Sequence, residues 1–209
     1  MHRIEKIGGK RYWEELSCAL ENLEADRGLN FTRAFPFTET MMCPLEKNNH
    51  MMEERVRVIE RIIPGEPLKL IEIGGAYGNL GKTYLKTHPG ATYTLVELKS
   101  MLKFAKVFLD VNGVDATLYE SAEAREIDDD FDLFMSYAAI PEMSIEYREM
   151  ILKKFLPRCG SAIIVCDEKS SPEYIGWLKR FYGHCNTLIP PPLSLHSPRL
   201  NVYYATRKT

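Results

Sequence analysis

The sequence lacks the features that mark several large classes of protein. No apolar run reaches the roughly 18 residues that a membrane-spanning helix needs, and the N-terminal MHRIEKIGGKRYWEEL contains no apolar signal-peptide core. The five cysteines are scattered without a C-x-x-C pair, a usage typical of a reducing compartment rather than of a disulfide framework. We therefore expect an intracellular, cytoplasmic protein with no membrane span.

The sequence also lacks a basic surplus, internal repeats and low-complexity segments. Its formal net charge is −2, which argues against a nucleic-acid partner that would be bound through phosphate neutralisation. Hydrophobic residues make up 45% and charged residues 27% of 209 residues, which is ordinary for one compact globular domain. These numbers give no reason to favour RNA or DNA as a partner.

The first 48 residues differ in pattern from the rest. Apolar residues recur at helical spacing over residues 10–27, which predicts an amphipathic helix that ends near Gly28. The following FTRAFPFTETMMCP has no clear period, and such a segment either packs over the core or covers a site. We expect residues 1–48 to form a cap or acceptor lid and residues 49–209 to form the main domain.

From residue 50 onwards, helix and strand patterns alternate. His50–Ile63 predicts a helix that is stopped by Pro64-Gly65, and four strands that are spaced by helices follow a first strand at Leu68–Ile73. Such spacing indicates a mostly parallel sheet with helices on both faces. The last two strands are joined by the proline-rich residues 190–198, which suit a hairpin better than a crossover helix. The predicted fold class is α/β, a Rossmann-like seven-stranded, mostly parallel sheet with an antiparallel C-terminal hairpin.

The most informative stretch is LIEIGGAYGNL, from Leu70 to Leu80. A strand that runs into clustered glycines and then a helix brings backbone N–H groups close to a ligand without obstruction by Cβ atoms. Glu97 ends the next strand, where an acid can accept hydrogen bonds from both ribose hydroxyls. Many α/β domains need a glycine at such a turn, but the turn and the acid together predict a nucleoside-containing ligand.

The spacing of the glycines separates the candidate ligands. A dinucleotide fingerprint needs G-x-G-x-x-G to admit a pyrophosphate, and this chain does not contain it. Glu72, two residues before the first glycine, would repel phosphates but suits a ligand that carries an amino group and a sulfonium.

At this point the sequence resembles a known family. EIGGAYG is similar to motif I of class I S-adenosylmethionine-dependent methyltransferases, E/D-x-G-x-G-x-G, with Ala76 in place of the middle glycine, and Glu97 matches the acid of motif II. The resemblance implies S-adenosylmethionine as cofactor, with a divalent cation not indicated. In this resemblance, Tyr77 either closes over the carboxylate of the methionine part or only packs against the protein. The cofactor-binding residues that the resemblance implies are Glu72, Gly74, Gly75, Tyr77, Gly78, Glu97, Leu98, Glu120, Ser121, Ala122 and Ser136.

A narrower resemblance concerns the acceptor. EIGGAYGNLGKTYL with TYTLVEL, and FMSYAAIPEMS with its Ser136 and Glu142-Met143, look like segments of the sugar O-methyltransferases. This implies a small-molecule or glycan acceptor, with methylation of a sugar hydroxyl in a glycan or a deoxyhexose such as rhamnose. A homodimer and a glycosyltransferase partner both stay open, because no residue pattern decides between them. A small-metabolite or protein acceptor, and a catalytically silent binding module, stay open as alternatives.

A sugar hydroxyl is a weak nucleophile, so a general base is expected near the carboxyl ends of the later strands. The candidates are Glu142, Asp167 and His196. Glu142 could instead stabilise the N-terminus of the following helix, and Asp167 could be a solvated loop acid. His196 has the right intrinsic pKa and lies in a loop stiffened by prolines, but most histidines in a chain have no catalytic role.

Overall fold

The computed structural model describes residues 45–188 and 200–207. The predicted helix over residues 10–27, the aperiodic FTRAFPFTETMMCP segment and His196 lie outside the described residues, so the cap or lid expected for residues 1–48 stays a prediction. Within the described ranges the helix pattern that was expected from His50 already begins at Leu45.

Strands and helices alternate along the described chain. The strands are β1 (Lys69–Ile73), β2 (Thr92–Glu97), β3 (Thr117–Glu120), β4 (Phe131–Tyr137), β5 (Cys159–Asp167), β6 (Asn186–Leu188) and β7 (Leu200–Thr206). The α-helices are α1 (Leu45–Ile62), α2 (Asn79–Thr87), α3 (Lys99–Val111), α4 (Ile145–Phe155) and α5 (Ser171–Tyr182). Short 3₁₀ turns occupy Ser121–Arg125, Ile140–Glu142 and Leu156–Arg158.

The seven strands form one sheet in the order β3-β2-β1-β4-β5-β7-β6. The first five strands are parallel to one another, whereas β7 runs antiparallel to both β5 and β6. The predicted fold class is therefore confirmed, including the C-terminal antiparallel pair. The strand order reverses between β1 and β4, and ligands of open α/β sheets bind beyond the carboxyl ends of the strands at such a reversal.

Helices cover both faces of the sheet, and each face has its own core. One core joins α1, α2 and α3 to the sheet and includes the buried side chains of Ile59, Tyr84, Leu95 and Leu109. The other joins α4 and α5 to the opposite face and includes Phe134, Phe155, Ile164 and Tyr174. Burial on both faces explains why β1, β4 and β5 read as continuous apolar runs.

Gly81 of α2 makes room for a tyrosine ring of β2. A Cβ atom at Gly81 would lie 2.3–2.5 Å from ring atoms of Tyr93. Tyr93 is 2% exposed, and its hydroxyl donates a hydrogen bond to the Glu72 carboxylate. A glycine in a helix interior usually costs stability, and here it lets the phenol reach across the core.

We predict that Gly81→Ala destabilises the protein by about 1–3 kcal/mol, because the added methyl overpacks a site that is already filled. The matched control is Gly176→Ala in α5, where a Cβ would meet no atom within 4 Å. Helix propensity should make that substitution stabilising by about 0.5–1 kcal/mol. Urea unfolding measures the free energy of unfolding of both variants. A Gly81→Ala variant as stable as the wild type would show that the Tyr93 ring does not require a glycine at position 81.

Candidate functional site

An open cleft of about 960 Å³ lies beyond the carboxyl ends of β1, β2 and β4. Its walls come from the turn after β1, the end of β2, the 3₁₀ turn after β3 and the loop after β4. The lining residues are Gly74, Ala76, Val96, Glu97, Leu98, Ser121, Ala122, Tyr137, Ala138, Ala139, Glu142, Met143, Ser144 and Tyr147. This is the position that the strand order predicts for a ligand.

The turn after β1 is packed too tightly for a side chain at its first glycine. Gly74 has φ +74°, and a Cβ there would lie 2.1 Å from the Cβ of Ala139 in the loop after β4. The Gly74 N–H donates to the Val96 carbonyl at 2.9 Å, which ties the turn to β2. The glycine is thus required by both its conformation and its neighbour.

Glu97 is held by the backbone at the cleft wall. Its Oε2 accepts the Ala76 N–H at 2.8 Å and its Oε1 accepts the Leu98 N–H at 2.7 Å. Burial raises the pKa of this carboxyl, and the two backbone hydrogen bonds oppose that rise. Each oxygen retains a lone pair, so the fixed carboxylate can accept two hydroxyl groups of a ribose.

Ala76 adopts a conformation that favours glycine. Its φ is +52°, one of two non-glycine residues with positive φ in the described ranges, the other being Ala138. The left-handed conformation of Ala76 accompanies the hydrogen bond to Glu97. A residue other than glycine in this region carries about 1–2 kcal/mol of strain, so the Glu97 bond holds the turn against a local cost.

Glu72 lies beneath the turn and does not line the cleft. Its side chain occupies the space that a Cβ of Gly75 would need, and its Oε2 accepts the Tyr93 hydroxyl at 2.5 Å. Burial raises the pKa of Glu72 from 4.5 to about 7, against the lowering effects of the Tyr93 hydrogen bond and of the Arg55 charge.

The 3₁₀ turn after β3 forms the far wall. Ser121 and Ala122 line the cleft, and the Tyr147 hydroxyl donates to the Ser121 carbonyl at 2.8 Å. Leu98, which is 44% exposed, faces the same space. Glu120 instead pairs with Lys99 at 3.1 Å and belongs to the capping box of the turn.

The remaining expected cofactor residues support the turn. Gly78, with φ +78°, is the N-cap of α2 and packs against Leu109. The Tyr77 ring lies edge-on to Phe108 and Phe104, with ring centroids 4.7 and 5.6 Å away, so this tyrosine packs against α3. Ser136 is 1% exposed, and its hydroxyl has no hydrogen-bond partner among the described residues.

The base candidates occupy different surroundings. Glu142 lies on the cleft wall, and partial burial raises the pKa of its carboxyl. Asp167 does not line the cleft; it accepts the Ser170 N–H at 2.7 Å, a bond that lowers its pKa. The N-terminus of α4 is served by Ser144, whose Oγ accepts the Tyr147 N–H, and by Glu146 in the first turn, so the helix does not depend on Glu142.

Several residues of the site went unnoticed in the sequence. Tyr93 and Tyr137 lie in the TYTLVEL and FMSYAAIPEMS segments but had no role assigned to them, and Tyr147 reaches the site from α4, outside both segments. Strand alternation could have found Tyr93, because it shares a face with Leu95 and Glu97. Arg55, whose guanidinium lies 4.5 Å from the centre of the Tyr137 ring, had no such signal.

Two absences hold for residues 45–188 and 200–207. No group of three or more histidine, cysteine or acidic side chains is placed to hold a metal ion. No helix in this part of the chain combines the length and the apolar character that crossing a bilayer requires.

Comparison with known proteins identifies the fold. No protein-family model matches the chain, and no curated protein matches its sequence. Solved structures do match, among them a protein of Nostoc punctiforme PCC 73102 described as a candidate O-methyltransferase, with 18% identity and a TM-score of 0.61. The match covers 76% of this chain and 56% of that one, so the chain spans little more than half of that protein.

Two further structures resemble the chain over more of their length. Magnesium protoporphyrin IX methyltransferase from Synechocystis PCC 6803, solved with S-adenosylmethionine bound, has 12% identity and a TM-score of 0.59, over 83% of this chain and 85% of that one. Mitomycin 7-O-methyltransferase has 15% identity and a TM-score of 0.56, over 93% and 67%. The chain has the fold of the class I methyltransferases, as the resemblance of its glycine turn implies.

We predict that Glu72 makes stability fall as pH rises between about 4.5 and 7. In this window the folded protein keeps a proton on Glu72 that the unfolded chain has released, so the free energy of unfolding decreases with pH. The contribution is on the order of 3 kcal/mol for a shift of this size. Glu72→Gln, which cannot ionise, should flatten the dependence.

Urea unfolding over a pH series measures this effect. The exposed Glu126→Gln serves as control and should keep the wild-type slope. If Glu72→Gln and the wild type show parallel pH profiles, Glu72 does not hold the proton that its burial predicts.

Proposed function

We propose that the chain binds S-adenosylmethionine in this cleft and methylates a hydroxyl group of a sugar. The observation that carries the proposal is the fixed Glu97 carboxylate, which two backbone N–H groups hold at the wall of the cleft. A carboxylate so placed suits a ribose diol, and the glycine turn beside it leaves the backbone open to the rest of the donor.

The neighbouring walls suit the two ends of such a donor. Leu98 and the Ser121–Ala122 backbone provide a half-apolar surface for an adenine ring. On the other side, Gly74 and Ala76 place backbone next to the cleft, above the buried Glu72, whose carboxylate form would favour a cationic ligand. A pyrophosphate would be disfavoured here, because the carboxylates of Glu97, on the wall, and Glu72, beneath the turn, would repel its charge.

The donor supplies a methyl group that is already activated by its sulfonium. The protein then needs to hold an acceptor hydroxyl in line with the methyl–sulfur bond and to receive the proton that the hydroxyl loses. Glu142 is the described residue best placed for the proton: it is on the cleft wall and partial burial raises its pKa. His196 remains a second candidate for the same role.

The sugar acceptor rests on the resemblance of FMSYAAIPEMS to the sugar O-methyltransferases. Six residues of this segment line the cleft: Tyr137, Ala138, Ala139, Glu142, Met143 and Ser144. A small-metabolite acceptor is the second candidate, because two proteins of the same fold act on mitomycin and on magnesium protoporphyrin IX.

We predict that the wild-type protein binds S-adenosylmethionine and S-adenosylhomocysteine, and that Glu97→Gln weakens the binding about ten- to hundredfold. The amide can accept from only one ribose hydroxyl, and a hydrogen bond to a charged group contributes about 1.5–3 kcal/mol. Isothermal titration calorimetry measures both affinities, with Glu126→Gln as the control. A wild-type protein that binds neither ligand would contradict the enzyme proposals and leave a silent binding module.

We predict that Glu142→Gln lowers kcat about 10²–10⁴-fold while the affinity for S-adenosylhomocysteine stays unchanged, because the base acts on the acceptor. Glu146→Gln, on the first turn of α4, is the matched control. A methylation screen over free and glycosidically linked sugars and over small phenols identifies the acceptor and supplies the assay. If the Glu142 variant keeps full turnover, another group accepts the proton of the acceptor hydroxyl. If the protein methylates phenols alone, the small-metabolite acceptor is favoured over the sugar.

A further inference from the structure

Arg55 of α1 has an unusual environment for a cationic side chain. It is half-buried, and its guanidinium lies over the Tyr137 ring, 4.5 Å from the ring centre. Among the described residues, Nη1 reaches the sulfur atom of Met52 and Nη2 that of Met51, both at 3.9 Å. A thioether is a weak acceptor, so this fork of five donors has little to bind.

The guanidinium has no direct anionic partner among residues 45–188 and 200–207. Its Nε is buried without a hydrogen-bond partner, and none of the ion pairs in this part of the chain involves Arg55. Glu72 is near enough for the Arg55 charge to lower its pKa, but that carboxyl is bonded to Tyr93. A partly desolvated guanidinium without a paired anion is a binding group for one.

Arg55 does not line the cleft itself, and its connection to the cleft is the Tyr137 ring. Tyr137, under the guanidinium, ends β4 and lines the cleft, while Glu97 ends β2, with β1 between them. Neighbouring strands are about 4.8 Å apart, so these two strand ends are about 10 Å apart. A ligand whose ribose is at Glu97 and which extends over the β1 turn reaches Tyr137 with its other end.

We propose that Arg55 binds the carboxylate of the donor's methionine part and so joins α1 to the cofactor site. This inference rests on the proposed function, since it takes the donor to be S-adenosylmethionine. A planar guanidinium binds a carboxylate through two parallel hydrogen bonds, and stacking on Tyr137 fixes the plane of the fork. The packing of Tyr77 against Phe104 and Phe108 leaves Arg55 as the better candidate for this contact.

The test compares two adenosine thioethers that differ in the group that Arg55 would bind. S-adenosylhomocysteine carries the amino-acid part, whereas 5′-methylthioadenosine lacks it and keeps the adenine, ribose and neutral sulfur. Arg55→Met retains an unbranched apolar stem against Tyr137 but removes the charge. We expect it to weaken S-adenosylhomocysteine binding about ten- to hundredfold and to leave 5′-methylthioadenosine binding unchanged.

The controls separate this inference from the proposal beneath it. Arg57→Met, at an exposed position on the same helix, should change neither affinity. Arg55→Lys keeps the positive charge but lacks the two parallel donors of the guanidinium. It should lose less affinity for S-adenosylhomocysteine than Arg55→Met does, and it replaces Arg55→Met in the test if that variant does not fold. Equal losses for both thioethers, or no loss for either, would overturn the role of Arg55. A wild-type protein that binds neither thioether contradicts the proposed function itself.

Discussion

The hydrogen bonds that Glu97 accepts from Ala76 and Leu98 hold the site together. The Ala76 bond joins the end of β2 to the turn after β1, and the Leu98 bond fixes the other carboxylate oxygen. The turn also lies against the loop after β4, where Ala139 fills the space beside Gly74. A carboxylate that is fixed by two N–H groups cannot rotate away to solvent, which removes the entropy cost of placing it when a ligand arrives. The Ala76 bond also stabilises the positive φ of that residue, so the turn conformation and, in the proposed site, the contact with the donor depend on one side chain.

A second acid, Glu72, lies beneath the turn, and its surroundings differ from those of Glu97. Glu72 is fully enclosed and would be costly to ionise there, and two groups offset part of that cost: the Tyr93 hydroxyl and the Arg55 charge. Gly75 and Gly81 contribute through the space they leave, one for the Glu72 carboxyl and the other for the Tyr93 ring. The glycines of this region thus provide room for a buried polar pair as well as backbone access for a ligand.

Much of the fold could be predicted because its signals are local. Runs such as LKLIEI and SAIIVC, spaced by helical segments, indicate buried parallel strands, and the prolines before β7 indicate a hairpin. A donor site at Gly74, Gly78 and Glu97 could be proposed from the sequence for the same reason, since these residues belong to one strand–turn–helix–strand unit. Contacts between residues far apart in sequence could not be predicted. Glu72 contacts Tyr93 because β1 pairs with β2, and Arg55 contacts Tyr137 because α1 packs beside the sheet.

Asp167 shows why position at a strand end does not by itself identify a base. It ends β5, as expected, but the Ser170 N–H binds its carboxylate, and a bond that stabilises the charged form weakens the group as a proton acceptor. Glu142 differs because the loop that carries it is fixed from both sides. Ala138, with φ +61°, donates its N–H to the Val165 carbonyl, and Ala139 fills the space against Gly74. The loop after β4 therefore connects the turn after β1 to the cleft wall that carries Glu142, and larger residues at Ala138 or Ala139 would disturb both.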